Sequence, residues 1–179
     1  MNLSHTDQQK IDEKYMRAAL KQAEKAAAIG EVPIGCVIVC DEKIIGIGEN
    51  FDKALLRARD PEAPQRIVGR GYNRRNTDRS TLSHAEITAI RKASRKLSDW
   101  RLEGCTLYCT LEPCPMCAGA IINARIPTVV FGAREALSGS CGSVIDLFSE
   151  RYGHRPAVYP GVCREACAAL LQDLFRDKR

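Results

Sequence analysis

The sequence predicts an α/β fold, a mixed five-stranded sheet in a single domain with helices on both faces. Three observations predict it. Segments with apolar residues at helical spacing alternate with short, β-rich apolar runs. The succession strand, helix, strand from Cys105 to Gly132 implies a parallel pair joined by a right-handed crossover. A chain of 179 residues, 45% hydrophobic and 27% charged, suits one domain with an ample core.

From about Asp7 to Ile29, the residues Ile11, Tyr15, Met16, Ala19, Leu20, Ala23 and Ala27 recur at helical spacing. Ser4 or Thr6 can cap this first helix and Gly30 is a natural stop. Ile34 to Cys40 is a continuous apolar run, read as a buried strand, with Asp41-Glu42-Lys43 as a polar turn after it. Two similar phrases follow, Ile44 to Asn50 and Ile67 to Asn73, and a hairpin needs only one of them. The second has the shorter connection to His84, so it is taken as the partner strand. Residues 44–65, with breakers at Pro61 and Pro64, then read as a surface insertion within the single domain 1–179.

A helix is expected from near Leu82 to Leu97, with Thr81 or Ser83 as caps. Cys105 to Thr110 reads as a strand of alternating character, and Leu111-Glu112-Pro113 leads into a helix that begins with cysteines. Pro127 to Gly132 is another buried strand. A loop with Gly139 and Gly142, a short helix around Ser143 to Phe148 and an edge strand at Ala157 to Tyr159 come next. The last helix, Val162 to about Arg176, offers one wide apolar face of Cys163, Ala166, Cys167, Leu170, Leu171, Leu174 and Phe175.

Nine cysteines in a chain without a secretion signal argue for reduced thiols and metal binding rather than a disulfide framework. No apolar run approaches a membrane span and the start, Asn2 to Lys14, is polar, so a cytoplasmic protein is expected. The net charge of +5 is compatible with a polyanionic partner without demanding one. Arg66, Arg70, Arg74, Arg75 and Arg79 crowd the approach to His84, either as a solvated loop or as a phosphate-contacting strip.

The chemistry concentrates in His84-Ala85-Glu86 and Pro113-Cys114-Pro115-Met116-Cys117. Cysteines at i and i+3 opening a helix place two thiolates where exposed amides and the helix dipole favour anionic sulfur. His84, at another helix start, adds an imidazole. Such a set suits zinc, and three ligands rather than four leave a position for water, as in a catalytic site. Glu86 is close enough to reach that water without being a ligand. Cys-x-x-Cys alone is as often a structural zinc knuckle or a redox pair, and the joint pattern is what separates these readings. The other cysteines (Cys36, Cys40, Cys105, Cys109, Cys141, Cys163 and Cys167) read as small core residues.

These motifs, with Glu31-Val32-Pro33-Ile34-Gly35, Gly71-Tyr72-Asn73, Trp100-Arg101-Leu102, Thr110 to Ala120 and Val130 to Arg134, resemble the cytidine deaminase-like superfamily. Within it they closely resemble the bacterial tRNA-specific adenosine deaminases, over nearly all of the chain. The resemblance implies the three-layer α/β/α cytidine deaminase-like fold. It implies His84, Cys114 and Cys117 as ligands of one zinc ion per subunit and Glu86 as the proton shuttle. It also implies Asn73, with Asn50 as rival, as the residue holding the target nucleoside, and Val32 and Pro33 as pocket lining. Glu135 stands where relatives often carry aspartate, at a position concerned with RNA contact. A homodimer acting on the wobble adenosine of a tRNA anticodon stem-loop is the implied assembly and activity. Deamination of a free base or nucleoside by the same zinc chemistry, or a noncatalytic RNA-binding zinc protein, are the alternatives.

Overall fold

A computed structural model describes residues 5–41 and 65–176. The insertion, Asn50 and Ser4 lie outside the described residues. Gln65, placed in the insertion by sequence, belongs instead to a strand.

Helix α1 runs His5–Ala28, so Thr6 falls inside its first turn and is not its cap. Gly30, at φ +76°, ends it in the left-handed conformation, with Gly30 N–H on Ala27 C=O and Glu31 N–H on Ala26 C=O. Strand β1 (Gly35–Asp41) pairs antiparallel with β2 (Gln65–Tyr72), which is formed by the second of the two similar phrases. Helix α2 spans Ala85–Leu97, followed by β3 (Cys105–Leu111), α3 (Pro115–Asn123), β4 (Thr128–Ala133), β5 (Ala157–Pro160) and α4 (Arg164–Arg176).

The sheet order is β2-β1-β3-β4-β5. The β1–β3 pair is antiparallel, while β3–β4 and β4–β5 are parallel, as the strand-helix-strand succession requires. Two cores, one on each face, make three layers. Tyr15, Met16, Ala19, Val37, Val39, Tyr108, Val130 and Cys167 pack between the sheet and α1 with α4. Cys36, Ile38, Cys40, Leu107, Ala85, Ala89, Ile121 and Phe131 pack between the sheet and α2 with α3.

Four local expectations change. α2 starts at Ala85, with His84 itself at the N-cap position, because residues 80–83 turn outside the helix and Ser83 instead donates its hydroxyl to Asp78. β3 is buried at every position, not alternating, because its central place puts helices over both faces. The stretch before Phe148 is not a helix. It is a turn closed by a Cys141–Asp146 bridge, and only Leu147–Ser149 makes a 3₁₀ turn, capped by Asp146. On α4 the buried residue is Cys167, whereas Ala166 is exposed and Leu170 and Leu171 are half-buried. The side chains of Leu174 and Phe175 lie outside the described residues.

Two close approaches set the helices against the sheet. Gly69 and Gly71, two apart on one face of β2, meet the backbone of Ala89 and Ala85, and Ala85, Ala89 and Ala93 form the small stripe of α2 that lies on them. On the other face Gly35 meets Ala19 and Ala23 of α1, and its N–H donates to Thr110 Oγ1 at 3.1 Å. Side chains at these glycines would hold both helices off the sheet.

Candidate active site

The site forms at one end of the sheet. Gly35 pairs with Tyr72 at the end where β3 runs out at Leu111 and feeds Cys114, whereas Asp41 and Gln65 pair at the opposite end. Arg74 N–H donates to Ser83 C=O at 3.0 Å, closing the 74–83 loop and bringing the end of β2 beside His84.

His84 and Cys114 occupy the N-cap positions of α2 and α3, both with extended backbone, and Cys117 lies one turn into α3. His84 Nδ1 is 3.7 Å from Cys114 Sγ and 3.6 Å from Cys117 Sγ. A tetrahedral ion with sulfur at about 2.3 Å and nitrogen at about 2.0 Å separates such donors by roughly 3.6 Å. The ligand atoms of the three residues all lie within 4.8 Å of one another, and they are the metal-type cluster found among the described residues. One nitrogen and two sulfurs at this spacing suit a metal ion.

The hydrogen bond from Cys117 holds the Cys114 thiol down to about 4 against burial, with His84 helping. The same pairing pushes Cys117 up, and Cys114 raises His84 while burial and the Arg75 charge oppose it.

Glu86, in the first turn of α2, is 4% exposed, and its Oε2 has no hydrogen-bond partner among the described residues. Burial pushes its carboxyl up, with the Cys114 charge adding to the effect and His84 opposing it. An unpartnered buried carboxylate oxygen is costly and is characteristic of a group whose partner is a reactant.

The MafB19-like deaminase family profile matches residues 11–179. The tRNA-specific adenosine deaminase of Bacillus subtilis (strain 168) is 41% identical over 169 residues, 94% of this chain and 91% of that protein. The protein of the same name from Haemophilus influenzae is 39% identical, covering 94% of this chain and 86% of its own length. A solved structure from a study of A-to-I editing by tRNA:A34 deaminases at the wobble position superposes with a TM-score of 0.71 at 34% identity. It covers 88% of this chain and 99% of that one. The chain belongs to the tRNA-specific adenosine deaminase family.

The residues that sequence proposed for this deaminase do not all converge. Asn73 is buried at the end of β2 that leads through the 74–83 loop to His84, its backbone N–H on Ile34 C=O and its amide against Val32 C=O, which seats it against the Val32–Ile34 segment. Glu135 lies in the loop after β4, and its carboxylate accepts the Leu137 N–H at 2.8 Å. The arginine strip divides. Arg74 is committed to Asp78 at 2.9 Å and to the Tyr72 hydroxyl, while Arg70, Arg75 and Arg79 are exposed.

Two carboxylates of this deaminase carry structural work that sequence reading passed over. Glu112, 2% exposed, accepts the amides of Cys141 (2.9 Å), Ser143 (3.0 Å) and Glu135 (3.2 Å) and the Ser143 hydroxyl. Burial pushes its carboxyl up, but Ser143 and these amides bring it below the usual carboxylate value. Glu31 does the same for residues 73–77. The signal available in the sequence was only an acidic residue inside otherwise apolar phrases, Glu31 before Val32-Pro33-Ile34 and Glu112 between Leu111 and Pro113.

Proposed function

We propose that this protein is a zinc-dependent hydrolase that converts adenosine to inosine at the wobble position of a tRNA anticodon. The observation that carries the reading is the buried Glu86 carboxylate, with Oε2 unpartnered, beside a three-member His84, Cys114 and Cys117 cluster. Relatives named tRNA-specific adenosine deaminase over nine-tenths of the chain supply the substrate.

His84 Nδ1, Cys114 Sγ and Cys117 Sγ would hold the zinc. Bound there, zinc would supply Lewis-acid activation of water. Glu86 Oε2 takes a proton from the attacking water, and its raised proton affinity suits that task. The same oxygen delivers the proton to the ring nitrogen beside C6 as the C6–O bond forms. Glu86 then moves the proton of the new C6–OH to the amino group, so that C6=O forms as the C6–N bond breaks and ammonia leaves. Asn73, Val32 and Pro33 hold the nucleoside against this edge. A stacked base cannot present C6 here, so the substrate is a splayed loop nucleotide, as in an anticodon. Arg75 and Arg79, exposed in the segment that leads to His84, would meet the flanking phosphates.

A homodimer working in the cytoplasm completes the proposal. No helix among the described residues is long and apolar enough to cross a membrane.

The test is inosine and ammonia formation by zinc-loaded protein on an adenosine-containing anticodon stem-loop, beside free adenosine, cytidine, cytosine and guanine. Inosine from the stem-loop alone is expected. Turnover confined to a free base or nucleoside would keep the chemistry and overturn the substrate.

A further inference from the structure

Glu31 follows the left-handed Gly30 and is 1% exposed. Its carboxylate gathers four donors. Oε1 accepts the Thr77 N–H at 2.6 Å and the Thr77 hydroxyl at 2.8 Å. Oε2 accepts Asn76 Nδ2 at 3.3 Å and Asn73 Nδ2 at 3.4 Å. All four come from residues 73–77, the segment between the end of β2 and His84, so one buried carboxylate fixes that segment against the start of β1.

The chemistry of the acceptor determines more than position. An ionised carboxylate has no hydrogen to donate, so an amide facing it must present its NH₂. Asn73 Nδ2 faces both Glu31 Oε2 and the Val32 C=O, at 3.4 Å each, which commits both amide hydrogens. Asn73 Oδ1 accepts the Arg75 N–H at 3.4 Å and keeps a second lone pair. The group left with capacity for a ligand is the carbonyl oxygen.

We propose that Glu31 is a positioning residue that orients the Asn73 amide so that Oδ1, not Nδ2, meets the substrate, which must offer a hydrogen-bond donor there. This rests on the deaminase reading above, with Asn73 as the nucleoside contact. Glu31 itself touches no substrate. Its effect on turnover passes entirely through Asn73, which separates this role from that of a pin that merely stabilises the loop.

The experiment is a double-mutant cycle. Glu31→Gln keeps an oxygen for Thr77 but sets an NH₂ against Asn73, which turns the Asn73 amide around. For wild type, Glu31→Gln, Asn73→Ala and the double variant, kcat and KM on the anticodon stem-loop are measured together with metal content and melting temperature. Glu31→Gln is expected to lower kcat/KM about 10- to 100-fold in the wild-type background, metal retained. In the Asn73→Ala background the same change should cost less than about 2-fold. Equal losses in both backgrounds, or a loss that follows melting temperature or metal content, overturn the proposal.

Glu31→Asp is the second variant. It keeps an acceptor-only group and should restore most of the turnover even where its melting temperature falls. If it is as inactive as Glu31→Gln at equal metal content, the orientation argument is wrong. Should the wild type leave the stem-loop unchanged, the substrate reading fails separately. The Asn73 side-chain amide resonance then decides. It shifts in Glu31→Gln if Glu31 orients it, and an unshifted resonance overturns the inference.

Discussion

Gly71 of β2 lies directly beneath the backbone of Ala85, so closely that a Cβ on Gly71 would run into the Ala85 carbonyl oxygen. Ala85 sits between His84 and Glu86, so this contact sets the height of the proposed metal ligand and the proposed proton carrier above the sheet. The oxygen is backbone inside a helix and cannot move aside. Gly71→Ala should therefore destabilise by about 1–3 kcal/mol and displace His84. Differential scanning calorimetry and bound metal per chain check it. A variant with wild-type melting temperature and full metal would refute the packing argument.

Glu86→Gln should retain the fold and the metal and lose about 10²- to 10⁴-fold in turnover, since the amide cannot carry the proton. Metal analysis beside stem-loop kinetics separates the two effects. Full turnover with metal bound would remove Glu86 from its role.

Metal binding should release protons and weaken in acid. Without the ion, Cys114 is held as thiolate while Cys117 and His84 are both shifted toward their protonated forms. Zinc needs all three deprotonated, so loading near neutral pH should release the Cys117 proton and whatever fraction His84 still carries. The sign follows, with apparent affinity falling as pH falls because protons compete for the same atoms. Potentiometric titration in weak buffer measures the release, and a chelator should abolish turnover reversibly.

Arg75→Ala and Arg79→Ala should each weaken stem-loop binding and flatten its salt dependence by about one unit of slope. Arg74→Ala should change the slope far less, because its guanidinium is already committed to Asp78. Equal slopes for all three variants would mean that the exposed pair does not meet phosphate.

Glu112→Ala leaves three loop amides without their acceptor. A cost of about 1–3 kcal/mol and faster hydrogen exchange over residues 135–143 are expected. Exchange mass spectrometry localises the change, and an unaltered loop would show the carboxylate to be dispensable.

Much of this was legible in the chain. The clustering of the candidate ligands reads directly because His84-x-Glu86 and Cys114-x-x-Cys117 are local patterns whose chemistry depends on residue type and helix-start placement. The choice of Ile67 to Asn73 as the hairpin partner was legible from connection length. Burial of β3 on both faces was not, since it depends on which elements cover it. The 3₁₀ turn at Leu147–Ser149 was also missed, because Ser143 is drawn out of any helix by Glu112, 31 residues earlier.

The sequence by itself determined the candidate chemistry of this protein: three side chains of metal-binding type, one carboxylate two residues from the histidine and the alternation of helix and strand that carries them. These are set by residue identity and short-range period. Only the tertiary structure decided that Glu31 and Glu112 are anchors, that Arg74 is engaged while Arg75 and Arg79 are exposed, and that the Asn73 amide is held by Glu31 and Val32. The anchors and the Arg74–Asp78 pair are hydrogen bonds and an ion pair whose worth depends on burial and on partners fixed by packing. A carboxylate in a sequence is only a charge until the fold removes its water and aims donors at it.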